Sequence, residues 1–124
     1  MEAPEAIMIC IDSSQWMNRL DRFYWYTLQL NCVRSYCVAK FKSNPKNAIG
    51  ILKMGTRSER QKNIRPTSDL DQILDFLENN RVSGGGLSFF CGLQNCWYIL
   101  QQLYPRNQKR ILMFTGGYVF VDFA

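Results

Sequence analysis

The chain contains no histidine among its 124 residues. That absence removes Ser-His-Asp and Cys-His catalysis and the commonest general base. A Ser-Lys or carboxylate enzyme is what remains, and no nucleophile motif is present, so the chain is not expected to be an enzyme. Long hydrophobic runs are missing too. The longest reach about half a dozen residues, against the ~20 that a membrane helix needs. The opening MEAPEA is acidic and has no basic n-region, so neither a signal peptide nor a membrane partner is expected. The five cysteines are an odd number, which suits a reducing compartment, cytoplasm or nucleus. Cys32/Cys37 and Cys91/Cys96 are each five apart, about 140° on a helix, so neither pair shares a face. Without histidine a zinc site would need three of these thiolates or a carboxylate; small buried apolar roles are expected instead.

What is present begins with charge. The net value is +5, spread over Lys40, Lys42, Lys46, Lys53, Arg57, Arg60, Lys62, Arg65, Arg106, Lys109 and Arg110. A nucleic-acid module can look like this. No aromatic residue interleaves with the basic stretch from Arg57 to Arg65, and no nucleic-acid-binding motif occurs. A solvated face is the reading, with no nucleic-acid partner; a basic patch meeting an acidic protein lies between the two.

Strand and helix signals alternate. Ala6 to Asp12 is apolar on both faces, as a central strand of a parallel sheet must be. A helix follows, with Tyr26, Leu30, Val33 and Cys37 as its stripe; Gln29, Arg34 and Lys40 fall away from it. Ser43-Asn44-Pro45 stops it. Ala48 to Met54 is a second strand, and Gly50 inside it predicts a close backbone approach. A short edge strand is expected near Asn63 to Arg65. Pro66-Thr67-Ser68 opens a second helix, with Ser68 as cap and Asp71 in the capping-box position. Its stripe is Leu70, Ile73, Leu74 and Leu77. Ser83 to Gly86 is a glycine-rich loop, but no Lys-Ser/Thr follows to make it a phosphate cradle. A third helix, about Phe89 to Tyr104, should bury Leu93, Cys96, Trp97, Leu100 and Leu103. Arg110 to Thr115 is a further strand. The pattern predicts an α/β fold, a mainly parallel sheet flanked by helices.

In such a sheet, loops at the carboxyl ends of strands form the ligand site. IMICIDSSQW, residues 7–16, places Asp12, Ser13 and Ser14 at such an end. That is where Asp-x-Ser-x-Ser holds Mg²⁺ in von Willebrand factor A domains. The chain offers Asp12 and Ser14 but has Trp16 in the third position, and an indole has no lone pair for a hard cation.

MICIDSSQWMN (8–18), KSNPKNAIGILKM (42–54), PTSDLDQIL (66–74) and NQKRILMF (107–114) together resemble this family. The similarity is to its branch in the 26S proteasome regulatory particle, the polyubiquitin-receptor branch. SNPKNAIGIL is the most specific segment. The resemblance implies a von Willebrand factor A-like, Rossmann-like fold, incomplete at its C-terminus. It implies one domain over 1–124, clear over 6–116 and divergent over 117–124. It further implies a non-catalytic docking module in ubiquitin-dependent protein degradation, located in cytoplasm and nucleus, with regulatory-particle subunits as partners. Ubiquitin capture in the family belongs to a C-terminal helical tail, so ubiquitin chains would be met only indirectly. No cofactor is implied. Asp12, Ser14 and Ser88 would be a vestigial metal site, and Asn44, Pro45 and Asn47 a partner-contacting turn. The alternative is a metal-dependent adhesion-type A domain that binds a protein ligand through Mg²⁺. Gly116-Gly117 would either turn YVFVDF back as a hairpin or precede the family's last strand.

Overall fold

The structure is a computed structural model that describes residues 3–14, 17, 25–54, 63–79, 86 and 89–115. Its centre is β1 (Glu5–Ile11), in which Ala6 to Ile11 have no exposed surface at all. Alternation sends Ile7, Ile9 and Ile11 to one face of the sheet and Ala6, Met8 and Cys10 to the other. Both faces are apolar because both are covered by helices.

The other strands are β2 (Ala48–Lys53), β3 (Ile64–Thr67) and β4 (Gln108–Met113). Their order is β3-β2-β1-β4. β1 runs parallel to β2, from Ala6↔Ala48 to Ile11↔Lys53, and parallel to β4, from Glu5↔Gln108 to Cys10↔Met113. β3 is an antiparallel edge, paired at Ile49↔Thr67 and Ile51↔Ile64 with an irregularity between. Pro66, expected to open a helix, lies within β3, where an edge strand tolerates its missing N–H. β4 starts at Gln108, two residues before the expected boundary.

Gly50 meets its expectation. A Cβ there would lie 2.5 Å from Met8 Sδ, 2.7 Å from Ile64 O and 2.8 Å from Pro66 N. The glycine lets β3 and the side chain from β1 close on the same point.

α1 (Trp25–Ser43) and α2 (Leu70–Glu78) cover the Ile7/Ile9/Ile11 face. α1 buries Tyr26, Gln29, Val33, Cys37 and Phe41. Gln29 thus departs from the expectation that placed it off the stripe, and Leu30 is only half-buried. α2 buries Ile73 and Leu77, while Leu70 and Leu74 are half-buried. Its cap is Asp69, not Ser68. Asp69 Oδ1 accepts from the N–H groups of Asp71 (3.1 Å) and Gln72 (3.3 Å). The Ser68 hydroxyl instead donates to Asn47 O at 2.9 Å.

α3 (Phe89–Leu103) covers the other face, burying Gly92, Cys96 and Leu100 against Ala6, Met8, Cys10, Leu52 and Met54. Trp97 and Leu103, expected in its buried stripe, are about half exposed, as is Phe90. The helix sits so that Gly92, Cys96 and Leu100, at i, i+4 and i+8, face the sheet; that ridge excludes position 97. Among the described residues no helix is long and apolar enough to cross a membrane.

Candidate functional site

The carboxyl end of β1 runs into Asp12, Ser13 and Ser14, all completely buried. Beyond the strand ends the ladder continues, with Met54 N–H donating to Ile11 O and Phe114 N–H to Cys10 O, both 2.9 Å. The chain then turns. Asp12 Oδ1 accepts from Ser14 N–H at 2.9 Å and from the Ser14 hydroxyl at 2.6 Å. Met17 N–H donates to Ser14 O at 3.1 Å and closes the next turn. A carboxylate that takes its donors from two residues downstream is an Asx turn, the geometry that Asp favours at strand ends.

Gln29, on the first half of α1, holds this loop from above. Its Oε1 accepts from Asp12 N–H at 2.8 Å and its Nε2 donates to Asp12 O at 3.0 Å. One amide therefore satisfies both backbone groups of a fully buried residue. Tyr26, one turn earlier, is buried nearby. Desolvation, and secondly the Asp12 charge, pushes its phenol well above the usual range.

The structure brings Asp12 and Ser14 together as the sequence suggests. Ser88, Trp16 and Gly116-Gly117 lie outside the described residues. Asp12 and Ser14 are engaged with each other, and Mg²⁺ demands six oxygens in near-ideal octahedral geometry. Among the described residues, no group of three or more Cys, Asp or Glu side chains converges to hold a metal. Among the described residues the loop offers the Asp12 carboxylate and the Ser14 hydroxyl, and water would have to complete the six.

The turn after α1 is built on its two asparagines. Asn44 and Asn47 are buried at 5% and 3% exposure, and Pro45 and Lys46 are exposed. Asn44 Oδ1 accepts from Lys46 N–H at 3.0 Å. Asn47 Oδ1 accepts from Glu5 N–H at 2.8 Å, and its Nδ2 donates to Lys40 O at 2.9 Å. Asn44 braces the turn itself and Asn47 joins the end of α1 to the start of β1; Pro45 is the one of the three named residues that faces outward.

Sequence reasoning missed Gln29, although the signal exists: it lies at i+3 from Tyr26 and i−4 from Val33. Beside it, Met17, Trp25, Leu28, Cys32, Phe114 and Thr115 line a shallow, mostly apolar groove of about 260 Å³.

Residues 7–118 match the von Willebrand factor type A domain family. The chain is 37% identical over 119 residues to the 26S proteasome non-ATPase regulatory subunit 4 homolog of Arabidopsis thaliana, covering 91% of this chain and 29% of that protein. The namesake from Oryza sativa subsp. japonica is 36% identical over 123 residues, 95% of this chain and again 29% of the relative. The chain therefore spans less than a third of the length of these curated relatives. Among solved structures, the SpRpn10 VWA domain superposes with a TM-score of 0.72 at 25% identity, over 96% of this chain and 63% of that one. The pilus adhesin RrgA of Streptococcus pneumoniae shares the fold at 15% identity, TM-score 0.61, over 90% of this chain and 20% of that one. A matching family over nearly the whole described sheet, a parallel core around β1 and an Asp-x-Ser loop at its carboxyl end agree: the chain belongs to the von Willebrand factor type A domain family.

Proposed function

We propose that this chain is a non-catalytic docking module of the 26S proteasome regulatory particle. The observation that carries the reading is the 36–37% identity to proteasome regulatory subunit 4 homologues over more than nine-tenths of the chain. The site agrees with a role in binding rather than chemistry. Its one carboxylate is consumed by its own loop, and the chain has no histidine. Its partners are regulatory-particle subunits, met in the cytoplasm and nucleus. Ubiquitin chains are met indirectly, through the particle; the acidic helix α2 lacks the Ala and Ser of a ubiquitin-binding helix. In this reading the exposed Pro45 and Lys46 are the part of the 44–47 turn that a partner touches, with Asn44 and Asn47 shaping it from within.

The test is affinity purification of the tagged chain from its own cells, with partners identified by mass spectrometry. Co-purification of regulatory-particle subunits at near-stoichiometric amounts is the expected result. Recovery of chaperones alone would overturn the reading.

A further inference from the structure

Two thiols meet inside the smaller core. Cys10 points from β1 toward α3, and Cys96 points back from α3 toward β1; their sulfurs are 2.9 Å apart and neither residue has any exposed surface. Carbon atoms at their optimal separation lie about 3.5–4.0 Å apart. The approach has a cause in the sequence. Gly92, one turn before Cys96 on the same face, has no side chain. A Cβ there would sit 2.8 Å from Met54 Cγ, so α3 lies close to the sheet. Gly92 O lies 4.0 Å from Cys10 Sγ, at the other side of the same contact. The remaining cysteines are arranged otherwise. Cys32 and Cys91 are exposed, and Cys37 is buried in the other core, on α1.

We propose that Cys10 and Cys96 are a redox pair that closes to a disulfide joining β1 to α3. The oxidant is a small peroxide. One thiol sulfur attacks hydrogen peroxide; the O–O bond breaks, an S–O bond forms, and one water leaves. The second sulfur then attacks the sulfenic sulfur. The S–S bond forms, the S–O bond breaks, and a second water departs. The two thiol protons end on the two waters, the thiols lose two electrons and the peroxide gains them. A dithiol reductant reverses the link by exchange.

Burial sets the rate. The neighbouring Cys96 and desolvation both push the Cys10 thiol far above its usual range, so the closed pair is unreactive. Reaction therefore proceeds through openings of α3, the one helix on that face among the described residues. Once formed, the link ties positions 10 and 96 and stabilises the folded chain by restricting the unfolded one.

The experiment uses the full chain with Cys32→Ser and Cys91→Ser, both at exposed positions, so that Cys10, Cys37 and Cys96 remain. The folded protein is treated with hydrogen peroxide, quenched with catalase, unfolded, alkylated with iodoacetamide and weighed. One alkylated thiol instead of three is expected, with a cross-linked tryptic pair containing Cys10 and Cys96, a raised melting temperature, and return of all three thiols after dithiothreitol. Three alkylated thiols would overturn the proposal. So would a sulfinic acid without a link, or a link to Cys37. Cys10→Ala and Cys96→Ala should each abolish the link; should either fail to fold, the count on the parent decides.

Discussion

Gln29 and Asp12 exchange two hydrogen bonds, amide to backbone, across the 17 positions that separate the end of β1 from the first half of α1. Gln29 is the one amide on the buried stripe of α1, and its place is set by what it must satisfy. Gln29→Leu keeps the volume but strands an N–H and a C=O in the core. Each such group costs about 1–3 kcal/mol, so a loss of about 2–6 kcal/mol is expected. Urea denaturation with an unchanged slope would measure it. A loss below about 1 kcal/mol would mean that water reaches the Asp12 backbone.

The Ser14 hydroxyl donates to Asp12 Oδ1, which bears on metal binding. Millimolar Mg²⁺ is expected to leave the melting temperature unchanged within about 1 °C. A cation binding with a Kd a hundredfold below its concentration would add about 2.7 kcal/mol. That would appear as a shift of several degrees in a domain of this size. Such a shift, absent in Asp12→Asn, would show that the loop opens to the ion.

The two close-approach glycines should respond differently to the same methyl group. At Gly50 the new Cβ meets backbone, Ile64 O and Pro66 N, and a strand must move to admit it. Gly50→Ala should cost about 3 kcal/mol, the upper end of overpacking losses. At Gly92 the obstacle is the Met54 side chain, which can change rotamer, and alanine gains about 1 kcal/mol of helix propensity. Gly92→Ala should therefore lie within about 1 kcal/mol of the parent. Equal losses at both sites, measured by thermal or urea unfolding, would contradict the distinction.

Much of this fold can be read from residue patterns. The apolar run from Ala6 to Ile11 admits only a strand covered on both sides, and Gly50 announces the approach of β3. That neither Cys32/Cys37 nor Cys91/Cys96 shares a face follows from spacing, but the exposure of Cys32 and Cys91 departs from the buried roles expected of them. What spacing misses is ranked by partners rather than period. Ser68 and Asp69 are both good caps, and Asn47 O captures the serine, leaving the aspartate for α2. Trp97 lies in the α3 stripe by arithmetic, yet the small Gly92 sets which ridge meets the sheet. In the site, Asp12 and Ser14 are legible as a pair, whereas Gln29 is a polar residue whose burial depends on a backbone 17 residues away.

Asn47 and Pro45 share a turn but not a role. Asn47→Ala leaves Glu5 N–H and Lys40 O without the amide that serves them, and should cost about 2–3 kcal/mol. Pro45 is exposed, so Pro45→Ala should change stability by no more than about 0.5 kcal/mol. Under the docking proposal the second variant, folded as well as the parent, should recover fewer regulatory-particle subunits in the same purification. Unchanged recovery would remove the turn from the partner surface.

Glu5 carries the clearest pH dependence. Its carboxylate pairs with Lys40 of α1 and, at 2.9 Å, with Arg110 of β4. The hydrogen bond from Lys40 is the largest cause that holds its pKa below the ordinary 4.5, opposed in part by burial. A carboxylate whose folded value is lowered stabilises the fold fully above the unfolded value. That contribution fades as pH falls through the folded one. Glu5→Gln should therefore cost about 1 kcal/mol at pH 7, as a partly buried two-partner ion pair suggests, and progressively less below about pH 4. Urea midpoints of parent and variant across pH 3–7 would show the two curves converging on the acid side. Parallel curves would mean that the ion pairs contribute through packing alone, and the charge on Glu5 would have no part in holding α1 and β4 to β1.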